Sequence, residues 1–261
     1  MKVGCTIYWD DDKYIKIAKN AINSFKHFHP EIPVYVVNNK TNYDSQKVDI
    51  KSNIKKYMCA YEIFTKEKLD KIIALGADTI TCDRLNEFLE GGEDVLAGLD
   101  YPYRLITEYF STPDSETHIN SDVVCFNNPK MLYDVIKCSR KHKEYFDQGG
   151  LNEVIWSGKY SYSYKIVDSP YETTSVLYNV RSKGNICAGE NSLPWAPYTT
   201  KFYVKDNKLY THNHKQIKVW HYCQGFGHLS ANEISEQVNR WTNSFFNEET
   251  VNFFRSIRCE L

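Results

Sequence analysis

Three apolar runs separated by two amphipathic stretches open the chain, and this alternation constrains its fold more than any other feature. Val3–Trp9 is a largely apolar run rich in β-formers. Asp10, Asp11 and Asp12 then stand where a helix cap is expected, ahead of Ile15, Ala18, Ile22 and Phe25 at helical spacing. Pro30 and Pro33 stop that helix before Val34–Val37, which has a short buried-strand pattern closed by Asn38 and Asn39. A second helix is predicted from about Ile54 to Lys66, because Tyr57, Ala60, Tyr61 and Phe64 share one face. A charged turn then leads into the buried-strand pattern Lys71–Leu75, which runs out into Gly76, Ala77, Asp78 and Thr79. Strand–helix–strand units of about 30 residues imply an α/β fold on a parallel sheet. Open sheets of this kind meet their ligands at the carboxyl ends of the strands, which marks Asp78.

Further on, Val95–Leu99 and Val123–Phe126 read as strands and Met131–Lys141 as a helix. Phe202–Thr211 reads as a hairpin turning at Asp206 and Asn207, and Lys218–Tyr222 as a strand. Ile234, Val238, Trp241 and Phe245 recur at helical spacing and predict a C-terminal helix packed back on the body. There is no internal repeat and no linker rich in Gly, Ser or Pro, so the 261 residues read as one compact unit.

Composition narrows the functions open to such a unit. Lys and Arg number 32 against 33 Asp and Glu, and this balance excludes a dedicated nucleic-acid binder. No run of about 18 apolar residues is present, so no membrane span is expected. The chain starts Met1-Lys2-Val3-Gly4-Cys5 and enters a strand without a signal peptide's apolar stretch. Eight cysteines, none in a C-x-x-C pair, read as buried free thiols. The expected location is cytoplasmic.

Several residue groups admit two readings. Asp10, Asp11 and Asp12 look like a metal cluster, but a helix cap and dipole partner is the better reading. Lys55 and Lys56 fit a solvated helix start or a phosphate contact. Asp147 and Gln148 fit a helix N-cap ahead of Leu151–Trp156, a role compatible with facing a cleft. His212, His214, His221 and His228 invite a zinc site, yet their spacing matches no structural zinc module and Cys223 is the nearby thiol.

Lys55–Phe64 followed by Lys71–Thr79 resembles glycosyltransferase family 8, the glycogenin-like sugar-nucleotide transferases of GT-A fold. In that family a Lys-led helix precedes a strand ending in Asp-Ala-Asp-Thr, whose last Asp binds a divalent metal. Asp78 matches that Asp, and Gly76 stands where the family has the first. Cys5–Asp10 with Tyr14 resembles the family's first strand and uridine-cradling loop. Ala97–Asp100, Asn120–Phe126 and Phe146–Asn152 resemble three segments around the donor sugar, with Asp122 where Gly is usual. Tyr178-Asn179 and Val219–Tyr222 resemble a Tyr-Asn pair and the segment that supplies a histidine to the metal.

The resemblance implies a single Rossmann-like GT-A domain over 1–261, with a mostly parallel central sheet flanked by helices. Its nucleotide-binding half would span about 1–100, its donor-sugar and acceptor half about 101–228, and its C-terminal helices 229–261. It implies transfer of glucose, galactose or xylose from a UDP-sugar donor to a saccharide or glycan acceptor, with Mn2+ (or Mg2+) as cofactor. A nucleoside diphosphate leaves poorly until a hard cation neutralises the charge developing on it. Asp78 and His221 are the implied metal ligands. Thr6, Tyr8, Trp9 and Tyr14 would frame the nucleoside, and Lys56 and Ala77 would also meet the donor. Asp100, Asn120, Asp122 and Gln148 would surround the sugar. Asp147 is the leading catalytic carboxylate and Asp122 the second. Retention at the anomeric carbon is implied, while a carboxylate acting as general base leaves inversion open. A nucleotide-sugar-binding module without turnover and a nucleotide-sugar hydrolase are the alternative classes.

Overall fold

The computed structural model describes residues 1–38, 40, 52–99, 118–142, 146–167, 176–178, 180–181, 202–211, 214–222, 230–236 and 246–260. Its centre is a six-stranded sheet built from β1 (Val3–Tyr8), β2 (Val34–Val37), β3 (Lys71–Gly76), β5 (Val95–Leu99), β6 (Ile119–Phe126) and β7 (Tyr164–Ile166). The spatial order is β2-β1-β3-β6-β5-β7. Pairing is parallel at β1–β2, β1–β3 and β5–β7, while β6 runs antiparallel to both β3 and β5. The sheet is therefore mostly parallel, with β6 as the reversed strand.

Two-sided burial explains the continuous apolar runs of the central strands. Ile72 and Ala74 of β3, Val124 and Phe126 of β6, and Val95 and Ala97 of β5 belong to one core. That core is shared with α2 (Ser52–Lys66), α4 (Pro129–Ser139) and α5 (Phe146–Trp156). The alternate residues Ile73, Leu75, Val123, Cys125 and Leu96 face the other way, onto α1 (Ile15–Phe28) and α3 (Asn86–Glu90). Gly150 lets α4 and α5 approach closely, since a Cβ there would meet the Ser139 amide nitrogen and the Val135 carbonyl, each at 2.6 Å.

Several local readings need correction. The apolar stripe of α1 is Ile17, Ala18, Ala21 and Phe25, while Ile15 is 39% exposed. The preceding acids do not cap α1 itself: Asp11 caps the short 3-10 turn Asp12–Tyr14 that leads into it, its Oδ1 accepting from the Lys13 amide at 2.9 Å, and Tyr14 is the N-cap of α1. Val34–Val37 is not a buried strand but the sheet's edge, with Val36 39% exposed, because among the described residues only β1 flanks it. Likewise Asp147 lies inside the first turn of α5, which starts at Phe146, rather than at its cap.

A second core forms where β4 (Thr79–Thr81) pairs with β13 (Val219–His221), itself paired with β9 (Val180–Arg181). A small sheet of β8 (Val176–Leu177), β10 (Tyr203–Lys205), β11 (Lys208–Tyr210) and β12 (Gln216–Ile217) adjoins it. The β10–β11 hairpin turns at Asp206 and Asn207, whose φ angles of 52° and 56° suit a tight two-residue turn. Trp220, Phe202 and Leu209 pack there against Phe253 and Phe254 of α6 (Glu248–Ser256). Residues 231–236 are helical with Ile234 buried, whereas Val238, Trp241 and Phe245 lie outside the described residues. Asn20 fastens the tail to α1 by donating to the Glu260 carbonyl and accepting from its amide, both at 2.9 Å.

The six described cysteines are free and buried. Among the described residues no helix is long and apolar enough to cross a membrane.

Candidate active site

The carboxyl ends of β1 and β3 and the start of antiparallel β6 lie along one edge of the sheet, because Tyr8 pairs with Gly76 and Leu75 with Val123. After β3, the Ala77 amide donates to the Tyr8 carbonyl at 3.1 Å, and Thr79 Oγ1 donates to the Gly76 carbonyl at 2.8 Å. This tight turn presents Asp78. The pairing of Thr79 with His221 and the bond from the Tyr222 amide to the Asp78 carbonyl (3.1 Å) then bring β13 alongside. His221 Nε2 consequently lies 3.1 Å from Asp78 Oδ2. Ligand atoms of Asp78, Asp122 and His221 all fall within 4.8 Å of one another. Two carboxylates and an imidazole are a donor set suited to a divalent cation such as Mn2+, so the residues present fit that group.

Lys56 overturns the solvated-helix-start reading. Its side chain is 4% exposed, and Nζ sits 2.6 Å from Asp122 Oδ1 and 2.6 Å from Asp147 Oδ2. It also donates to the Ser121 carbonyl at 2.9 Å. Burial alone would push the Lys56 pKa down, but the two carboxylates reverse this and hold it well above its ordinary value. Asp147 moves up, first because it is buried and then because Asp122 stands near with like charge, against the pull of Lys56. One ammonium thus holds two carboxylates together under the sheet edge.

The first turns of α5 are stapled to the start of β6. Asn152 accepts from the Ile119 amide and donates to its carbonyl, both at 2.9 Å. Gln148 Nε2 donates to His118 Nε2 at 2.9 Å, and Gln148 Oε1 accepts from the Ser121 amide at 3.3 Å. Asn120 Nδ2 donates to the same oxygen at 3.4 Å. Burial lowers the His118 pKa to about 4, so the ring is neutral and accepts at Nε2. The Gln148 amide is therefore fixed in one orientation.

Comparison with known proteins places this edge in context. No family model matches the sequence, and no curated protein matches it. Solved structures do match. The galactosyltransferase LgtC, determined with donor and acceptor sugar analogues, has a TM-score of 0.51 and 14% identity over 97% of this chain and 100% of its own. The bifunctional glycosyltransferase WbbM, in its apo form, has a TM-score of 0.54 and 12% identity over 86% of this chain. The match spans 46% of WbbM. The fold is the GT-A glycosyltransferase fold.

Within that fold, Asp78, Asp122, His221, Lys56, Asp147, Asn120 and Gln148 converge at the sheet edge. Ala77 forms the turn beside them, 7% exposed. Thr6 does not join them, for its side chain is buried and its hydroxyl is 3.4 Å from the Ile73 carbonyl within the sheet. Tyr8 and Trp9 stand at the carboxyl end of β1, and the buried Trp9 Nε1 finds no hydrogen-bond partner among the described residues. Tyr14 packs between the α1 core and the second core. Asp100, Asn179, His212, Cys223 and His228 lie outside the described residues. Of the four histidines of the zinc reading, His214 Nδ1 lies 2.6 Å from the Tyr203 hydroxyl and His221 faces Asp78, while His212 and His228 lie outside the described residues. His118, Ser121 and Asn152 escaped notice as positioning residues. Their signal was weak, since a buried polar residue is recognised only by its partner.

Proposed function

We propose that the protein is a glycosyltransferase that moves glucose, galactose or xylose from a UDP-sugar to a saccharide hydroxyl, with retention and with Mn2+. The observation carrying this reading is the convergence of Asp78, Asp122 and His221 within 4.8 Å at the sheet edge of a GT-A fold. Beside it lie Lys56, Asp147 and Gln148, a polar wall suited to a hydroxyl-rich ligand. Asp78 and His221 are the residues that hold the cation, and the cation when bound neutralises the diphosphate leaving group.

The chain's own residues bind and orient. Tyr8, Trp9 and Tyr14 frame the nucleoside. Asp147 and Asn120 accept and donate hydrogen bonds to sugar hydroxyls, with Asp147 aimed by Lys56. Gln148 Oε1 accepts from the Ser121 amide, which holds its amide in place beside the carboxylates. The bond from C1 to the diphosphate oxygen breaks and a bond from the acceptor hydroxyl oxygen to C1 forms. The acceptor's proton passes to the departing diphosphate, so transfer on the same face needs no free protein base. The engagement of both Asp122 and Asp147 by Lys56 favours this over inversion, for which one of them would have to serve as the base.

A thermal-shift screen of UDP-, GDP- and CMP-sugars with and without Mn2+ tests the donor, because a bound nucleotide raises stability by mass action. The expected result is a rise for UDP-sugars that depends on Mn2+. Product analysis with a saccharide panel then separates transfer from hydrolysis, which would release free sugar whatever acceptor is present. Turnover untouched by both EDTA and Asp78→Asn would refute the metal reading.

A further inference from the structure

Positions 76 and 122 compete for one volume. The β3–β6 register brings Leu75 opposite Val123 and so sets Gly76 opposite Asp122 at the site. A Cβ built on residue 76 would lie 3.0 Å from both Cβ and Cγ of Asp122 and 2.6 Å from Asp78 Oδ1. Contacts that short do not occur between a Cβ and its neighbours without displacement. A side chain at position 76 would therefore displace the Asp78 carboxylate and crowd Asp122, and glycine avoids both. The carboxylate of this pair stands on β6.

We infer that Asp122 is the third protein ligand of the divalent cation, supplying from β6 the carboxylate that glycine removes from the end of β3. This rests on the reading that Asp78 and His221 hold the cation. Three donors reached from β6, β13 and the turn after β3 make a more complete set than two, and leave positions for diphosphate oxygens. The Asp122 carboxylate is also braced as a ligand should be. Lys56 holds its Oδ1 at 2.6 Å from beneath, and its amide donates to Asn120 Oδ1 at 2.8 Å. Outer partners of this kind fix the direction of a ligating carboxylate.

The test is titration of the full-length protein with Mn2+ alone, and again with UDP, following free Mn2+ by electron paramagnetic resonance. Wild type is expected to bind one ion. Asp122→Gly is expected to weaken binding at least tenfold, as should Asp122→Asn, which keeps the side chain's volume should the glycine variant fail to fold. Asp122 variants that bind Mn2+ like wild type would overturn the assignment. Absence of Mn2+ binding by wild type, with sugar transfer intact, would overturn it while leaving the transfer reading standing. Normal Mn2+ binding that depends on Asp122, with no transfer from any donor, would sink the transfer reading instead.

Discussion

Replacing Lys56 by methionine keeps most of the length of the side chain and removes its charge. The two carboxylates it holds at 2.6 Å then face each other without a cation, and they fare differently. Asp122 is 30% exposed and recovers hydration, whereas Asp147 is 7% exposed and cannot. Removing one partner of a buried ion pair costs about 3–5 kcal/mol, and most of that falls on Asp147. For a chain of this length the loss corresponds to a fall in Tm of roughly 6–20 °C. The penalty also depends on pH. Asp147 already has a raised pKa in the folded protein, and loss of Lys56 raises it further. A raised folded pKa adds stability below the unfolded value and withdraws it as pH rises through the folded one. The deficit of Lys56→Met is thus largest at neutral pH and shrinks toward pH 5. Lys56→Met/Asp147→Asn, which removes the stranded charge, should recover most of the loss. Urea unfolding of wild type and both variants at about pH 7.5 and 5 measures all three quantities. A Lys56→Met deficit under about 1 kcal/mol, or one equal at both pH values, would show that the ammonium does not hold these carboxylates.

Gly150→Ala drives a methyl into the Ser139 amide and Val135 carbonyl and should cost about 1–3 kcal/mol; an unchanged melting temperature would contradict the close α4–α5 packing. His29 and His118 are buried, and burial is the leading reason their pKa values are lowered to about 4. Lowered folded values mean that the unfolded chain takes up protons first, so stability should fall as pH drops from about 6.5 toward 4, by up to about 3 kcal/mol for each histidine. His29→Gln, which can still accept from the Leu85 amide, should flatten that slope, and an identical slope would remove His29 from the account.

Residues close in the chain made most of the fold legible. Alternation of apolar runs and helical stripes is local chemistry, so β3, β5, α2 and the Asp206-Asn207 hairpin appear almost where their patterns fall. The misread details share one cause. Val34–Val37 has a buried strand's composition, but whether a second strand flanks it is settled by sheet order. Asp78 was marked by its place after a buried strand, and His221 by resemblance, yet nothing local sets them 3.1 Å apart across 143 residues of chain. Lys56 shows the divide most clearly. On a helix surface a lysine belongs in water, and its burial here is tolerable only because Asp122 and Asp147 arrive from β6 and α5. The crowding between position 76 and Asp122 has the same character. Each residue is unremarkable in its own segment, and only the pairing of β3 with β6 brings them together. Local propensity specifies the elements, whereas a charged site exists only once the fold sets opposite charges within reach of each other in a dry place.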